Sequence, residues 1–295
     1  MDTTTTQTSE RSPAPMQTCL PDAGDVLIIV GSPGDAAVLV GSRLAARTGG
    51  SVTGCGVSMA FLGGRPFRTD ATVVALLEPS PRVKRHDDLK SSGEGAEFVR
   101  RATTAGARHP QWAVVGNDVG HDLKALSAWH DLIVVQRPND ELSNPVDGLE
   151  HLLKGTGLPC LILPKVCAPC GVFERVVLAW DGSQPATRAI RAALPLIGAA
   201  KEVVLLDGTH PDTAPVEPTF HPLAFLARHG IEASHHRIRT SPGDAGAVLL
   251  AKAQHFKADL LVMGAYGHTP LRERILGGAT RHVLTHGYLA TLLCH

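Results

Sequence analysis

Glycines near the C-terminus stand at spacings that could hold an anion. Gly264, Gly267 and Gly277 form the arrangement Gly-x2-Gly-x9-Gly, and the loop directly follows a strand-like run at 259–263. Glycine has no side chain, so the backbone N–H groups there stay open to close approach by a bulky ligand. The pattern predicts a loop that binds a phosphate group, although the same glycines could also serve only to form tight turns.

A predicted helix follows this loop. We expect it to run from about Ala279 to His286, just after Gly278. The first N–H groups of a helix lack partners within it, so phosphate is a natural ligand there. Thr280 could cap the helix or donate its hydroxyl to the phosphate, and His268, inside the loop, is the histidine best placed to approach it.

Other kinds of active site find no support in the residue pattern. The loop lacks the Gly-Lys-Ser/Thr of a P-loop, and neither half of the chain has a GxGxxG fingerprint after its first predicted strand, so hydride transfer is not indicated. No Ser-His-Asp or paired-carboxylate spacing suggests hydrolysis. The residues therefore indicate a binding module and not an efficient enzyme.

Two smaller groups of residues also have chemical potential. Cys167 and Cys170 have CxxC spacing, which could serve a reversible disulfide or half of a metal site, or could be simple linker cysteines. His282 and His286 lie four residues apart on one predicted helix and could share a metal ion, but no third ligand is evident. Cys294 lies within the last predicted strand and is expected in the core.

The elements that position these residues occur twice along the chain. Short apolar runs alternate with helical segments, which is typical of a parallel sheet buried on both faces. The predicted strands are 26–30, 52–57, 71–77, 112–115, 131–135 and 159–163 in the first half, and 176–180, 203–206, 234–238, 259–263 and 290–294 in the second. The predicted helices are 36–47, 91–107, 185–197, 220–229, 243–255 and 279–286.

This duplication predicts two domains, and the last strand of each is an edge candidate. A Thr-, Ser- and Pro-rich start to the chain lacks periodicity and is expected to be disordered. The predicted organisation is a tail at 1–24, a first domain at 25–164, a linker at 165–173 and a second domain at 174–295.

Composition narrows the class of protein. The 295 residues include 28 basic and 28 acidic side chains, and this balance argues against a nucleic-acid binder. No apolar run approaches the roughly 18 residues that a membrane span needs. The chain starts without a basic-then-apolar export signal, so we expect a cytoplasmic protein with reduced cysteines.

With these features together, the chain resembles a tandem universal stress protein. The resemblance rests on the glycine spacing, with support from Ala179-Trp-Asp-Gly-Ser183 after the first strand of the second half and from Asp259–Gly264. It implies two domains, each a five-stranded parallel sheet of the flavodoxin-like or HUP-like type with helices on both faces. It also implies that the second domain binds ATP, with or without magnesium.

The resemblance further implies which residues hold the nucleotide. Ala179, Trp180 and Asp181 would lie at the adenosine end, and the backbone at Leu206 and Asp207 would border the adenine. The ribose and phosphates would be lined by Met263, Gly264, Gly267, Gly277, Gly278 and Ala279.

One residue departs from the family pattern. Gly278 stands where the family has Ser or Thr, which removes a hydroxyl that faces the phosphates. A hydrogen bond to a charged group contributes about 1.5–3 kcal/mol, so we expect an affinity roughly tenfold lower or more. Thr280 could compensate only if the start of the helix is shifted.

The first domain lacks this chemistry. None of the three glycines follows its strand at 131–135. Arg137 could meet a phosphate, but Asp140 and Glu141 would repel one, and Ser32 or Pro33 stands where the second half has its strand-end aspartate. We interpret this domain as a structural partner that has lost the nucleotide site.

The resemblance implies an ATP-binding module in the stress response that acts through nucleotide-dependent conformation or partner contact. Weak ATP hydrolysis is one alternative, and a nucleotide-free interaction or redox protein that uses Cys167 and Cys170 is another. In the family, final strands pair across a dimer. Here we expect the two domains to pair with each other first, and a homodimer remains open.

Overall fold

The computed structural model describes residues 24–31, 35–57, 93–115, 119–137, 145–167, 171–208, 221–240, 243–265 and 278–295. The strands are β1 (Val26–Val30), β2 (Ser51–Gly56), β3 (Arg108–Val114), β4 (Leu132–Gln136), β5 (Cys160–Leu163), β6 (Arg175–Trp180), β7 (Glu202–Asp207), β8 (Ser234–Arg237), β9 (Leu260–Gly264) and β10 (Ala290–Cys294). The helices are α1 (Ala36–Thr48), α2 (Gly93–Thr104), α3 (Val119–Ser127), α4 (Pro145–Thr156), α5 (Gln184–Ile197), α6 (Pro222–Arg228), α7 (Ala245–His255) and α8 (Gly278–His286).

These strands form one ten-stranded sheet in the order β3-β2-β1-β4-β5-β10-β9-β6-β7-β8. Each half has the same relative strand order, and neighbouring strands within a half are parallel. The halves meet at β5 and β10, which pair antiparallel with Thr291 opposite Ile162 and Leu293 opposite Cys160. The prediction of an α/β fold with parallel strands is confirmed.

Helices cover both faces of the sheet, as expected for strands that are apolar along their whole length. Buried side chains of α1, α2, α5 and α6 pack into one core with alternate residues of the strands. Those of α3, α4, α7 and α8 pack into a second core with the other residues of the same strands. Strands such as β1, buried at every position, need both layers.

An aspartate anchors the start of the central strands in each half. Asp131 Oδ2 accepts a hydrogen bond from the backbone N–H of Asp25 at 2.9 Å. Asp259 does the same in the second half, where its two carboxylate oxygens accept from the N–H groups of Glu174 and Arg175 at 2.7 and 3.1 Å. The two halves therefore share a local device as well as a strand order.

The element boundaries differ most from the sequence prediction at one strand. The strand predicted at 112–115 begins earlier, at Arg108, because β3 continues along β2 through an irregularity in the register. The strand predicted at 71–77 lies outside the described residues. The tail predicted at 1–24 also lies outside them, except for Gly24. Within the described part of the chain, no helix is both long and apolar enough to cross a membrane.

Candidate functional site

The candidate site lies where β6 and β9 end side by side. These strands are neighbours in the sheet. The chain leaves β6 for α5 on one face, whereas it leaves β9 for α8 on the other face. Such a point, at the carboxyl ends of parallel strands, opens a crevice in which α/β proteins bind ligands.

The end of β6 is shaped by a tight turn. Gly182 has a φ of 83°, a left-handed conformation that favours glycine. The Asp181 carboxylate accepts a hydrogen bond from the N–H of Ser183 at 3.0 Å. Ser183 in turn caps α5, since its hydroxyl accepts from the N–H of Ala186 at 3.3 Å. Asp181 is exposed at the edge and also orders the turn.

Ala179 and Trp180 point to opposite faces of β6. Ala179 packs in the core beneath α7 and α8. Trp180 is buried in the core beneath α5 and α6, and its indole N–H donates to the hydroxyl of Thr187 at 3.3 Å. A ligand in the crevice would therefore meet the backbone of Trp180 and not its ring.

Gly264 ends β9 against the first turn of α5. A Cβ at this position would lie 2.5 Å from the backbone nitrogen of Ala186 and 2.9 Å from the carbonyl carbon of Pro185. Such distances are too short for any side chain. The structure thus gives Gly264 a role in packing. The sequence suggests a different role, in which its backbone N–H group is open to a ligand. Met263, just before it, is buried.

The N-terminus of α8 also lies at this edge of the sheet. Gly278 is exposed, Ala279 is partly buried and Thr280 is buried. The neighbouring helix α7 approaches closely, because a Cβ on Gly246 would lie 2.8 Å from the carbonyl oxygen of Ala279. The predicted residues Gly267, His268 and Gly277 lie outside the described residues.

Asp207, at the end of β7, belongs to a polar cluster that sequence reasoning missed. Its side chain is 2% exposed, and its Oδ2 lies 3.1 Å from Nε2 of His235 and 3.8 Å from the Arg237 guanidinium. His221 is the N-cap of α6, where Nδ1 accepts from the N–H of Leu223 at 3.2 Å. Burial lowers the pKa of His221, while Asp207 opposes that shift.

A register argument would have found part of this cluster. In the parallel pair of β7 and β8, Leu205 lies opposite His235 and Asp207 opposite Arg237. The strand prediction at 234–238 was correct in location, but it did not fix which residues of the two strands share a face. Nothing in the sequence linked His221, at the start of α6, to either strand.

In the first half, a side chain bridges the equivalent strand end and helix start. The Gln136 side chain accepts a hydrogen bond from the N–H of Ala36 at 2.6 Å, at the start of α1. Its amide group donates to the carbonyl oxygens of Pro164 and Lys165 at 3.3 and 2.9 Å. The side chain thus occupies the space between β4 and α1.

Arg137, which could meet a phosphate according to the residue pattern, contacts the second half of the chain. Its guanidinium donates to the carbonyl oxygens of Gly287 and Val283, at 2.5 and 3.1 Å. These carbonyls belong to the C-terminal end of α8, where partial negative charge favours a cation. Burial lowers the pKa of Arg137 to about 10, so it stays protonated at neutral pH.

The cysteines and the histidine pair have the surroundings of ordinary structural residues. Burial raises the pKa of Cys55 and of Cys294 to about 12, so neither is a reactive thiolate. Cys167 is partly buried, and its predicted partner Cys170 lies outside the described residues. The rings of His282 and His286 lie 4.4 Å apart on α8, where His282 is half-buried beside Gly246 of α7 and His286 is exposed.

Part of the chain is similar to a known protein family. Residues 173–294 match the model of the universal stress protein family. A universal stress protein from Synechocystis sp. is 24% identical over 144 residues, a match that covers 46% of this chain and 46% of that protein. The chain therefore matches about half the length of this curated relative.

Solved structures extend the likeness in fold across nearly the whole chain. The crystal structure of a universal stress protein from Archaeoglobus fulgidus DSM 4304 has a TM-score of 0.63 at 17% identity, and the match covers 92% of this chain and 96% of that one. A functionally unknown protein from Pseudomonas aeruginosa PAO1 has a TM-score of 0.55 at 17% identity, covering 94% and 93%. The C-terminal part of the chain, residues 173–294, is one universal stress protein domain.

Proposed function

We propose that the second half of this protein binds ATP at the crevice between β6 and β9 and acts in the stress response through nucleotide-dependent conformation or partner contact. The observation that carries the proposal is that α8, the crossover from β9 to its parallel neighbour β10, begins on the side of the sheet where β9 ends, with Gly278 exposed. The unpaired N–H groups and positive dipole end of a helix favour a phosphate group. The family match over the same residues supports this interpretation.

We further propose that the first half is a second domain of the same type that no longer binds nucleotide. The repeated strand order and the anchoring aspartates, Asp131 and Asp259, support a common origin of the halves. Gln136 bonds to the start of α1 in the place where a ligand would have to enter. One ATP per chain is therefore expected. The first domain would span 25–164 and the second 174–295, with a linker at 165–173.

Calorimetric titration of the full chain with ATP and magnesium tests the proposal. We expect a stoichiometry of one, together with an adenine nucleotide in small molecules released from the purified protein. The absence of both would overturn it. Phosphate release during the same experiment distinguishes a weak ATP hydrolase from a binding module.

Replacing Gly278 with glutamate is expected to weaken ATP binding at least roughly tenfold, because a carboxylate would face the phosphates. The fold should tolerate this change, since Gly278 is exposed and an acidic residue in the first turn stabilises a helix. Gly278→Gln is the control for this variant, because glutamine has the size of glutamate without its negative charge. Gly93→Glu is the matched control elsewhere, because Gly93 is also exposed and opens α2 in the first half.

Replacing Gly278 with serine is expected to tighten ATP binding about tenfold, because the hydroxyl that the family places there would be restored. The dissociation constants of Gly278→Ser and Gly278→Ala, measured in the same buffer, separate the hydroxyl from the effect of adding a side chain. Equal constants for these two variants would contradict a phosphate contact at this position.

A further inference from the structure

Three potential metal ligands meet on the face of the sheet covered by α5 and α6. One ligand atom each from Asp207, His221 and His235 lies within 4.8 Å of the other two. They come from three separate elements: the end of β7, the N-cap of α6 and the edge strand β8. Among the described residues, Asp207 is buried, His221 is half-buried and His235 is exposed.

We propose that Asp207, His221 and His235 form a binding site for a divalent transition metal ion, with Zn²⁺ as the preferred ion. Two imidazoles and one carboxylate are a donor set that suits such ions and not magnesium or calcium, which take oxygen ligands. Three protein ligands leave a fourth tetrahedral position for water. The cluster adjoins the crevice, since Asp207 lies opposite Trp180 in the sheet, and its test is therefore made without nucleotide.

Two features of the cluster change when the ion binds. A neutral imidazole has one free lone pair, and in His221 that lone pair now accepts from the N–H of Leu223. Coordination therefore releases this N–H, and the start of α6 loosens. The Arg237 guanidinium, 3.8 Å from the Asp207 carboxylate, must also move away when the ion binds. Arg237 is largely exposed and can turn toward solvent.

The test is titration of the full, nucleotide-free chain with Zn²⁺ and, for spectroscopy, with Co²⁺. We expect one tight site per chain, with visible Co²⁺ absorption typical of tetrahedral nitrogen and oxygen ligands. Asp207→Asn, His221→Gln and His235→Gln should each weaken Zn²⁺ binding at least roughly tenfold. Excess magnesium should not displace the ion.

Matched variants separate this site from ordinary surface histidines. His236→Gln changes the next residue of β8, whose ring packs toward Phe256 at 5.0 Å, and should leave binding unchanged. The double variant His282→Gln and His286→Gln removes a neighbouring histidine pair that could compete for the ion. Arg237→Gln should tighten binding several-fold, and amide exchange at Leu223 should become faster with metal.

Two outcomes would overturn the proposal. One is the absence of Zn²⁺ binding at micromolar concentrations in the folded protein. The other is binding that is lost in the double variant of His282 and His286 but retained in Asp207→Asn. Circular dichroism of each variant shows that it is folded, and the tighter binding expected for Arg237→Gln does not depend on a damaged site.

Discussion

Replacing Arg137 with alanine is expected to lower the free energy of unfolding by about 3 kcal/mol, because two hydrogen bonds from a buried cation are lost. The side chain is 5% exposed and joins the end of β4 in the first half to the last turn of α8 in the second. The carbonyl oxygens of Val283 and Gly287 would lose this partner. Urea denaturation followed by circular dichroism measures the change.

Arg137→Lys is the informative control for this prediction. Lysine keeps the positive charge near the negative end of α8, but it lacks the planar fork that reaches two carbonyl oxygens at once. We expect it to recover about half of the lost stability. Hydrogen exchange should quicken in the last turn of α8 for Arg137→Ala. Unchanged stability and exchange in that variant would show that the contact contributes nothing.

Replacing Gly264 with alanine is expected to lower the free energy of unfolding by about 2–3 kcal/mol, because the new methyl group overlaps backbone atoms of α5. The nearest atom, the nitrogen of Ala186, lies 2.5 Å from the Cβ position. Backbone atoms within a helix cannot turn aside as a flexible side chain can, so β9 and α5 must separate. Thermal and urea denaturation measure the effect.

Gly155→Ala serves as the opposite control. Gly155 lies in α4, and nothing lies within 4 Å of its Cβ position. Alanine favours a helix over glycine by up to about 1 kcal/mol, so this variant should be as stable as the parent chain or more so. If Gly264→Ala also proved neutral, the close approach of β9 to α5 would be wrong.

The central strands were predictable because they are buried on both faces. Runs such as Val26–Val30 are apolar at every position, and that is a signal contained in a few adjacent residues. Contacts between residues far apart in the sequence were not predicted. The contact of Arg137 with Gly287 spans 150 residues. Its side chain resembled a phosphate ligand because a helix C-terminus and a phosphate both attract a guanidinium.

The candidate site divides in the same way. The turn at Asp181 and the glycine at the end of β9 could be located from local residue patterns. The cluster of Asp207, His221 and His235 could not, because it depends on the register of β7 against β8 and on where α6 begins. The packing role of Gly264 was also hidden, since a sequence shows that a side chain is absent but not what takes its space.

The antiparallel pair of β5 and β10 has a consequence for how copies of this chain could assemble. Each of these strands already has a neighbour on both sides, so its hydrogen-bonding capacity along the sheet is saturated within a single molecule. A second copy cannot add to the sheet there without opening the first. Among the described strands, those with an unpaired side are β3 and β8, at the two outer ends of the sheet. The pairing of β5 with β10 thus forms within one chain. Two separate single-domain chains would have to associate to form such a pair, whereas here its formation does not depend on protein concentration.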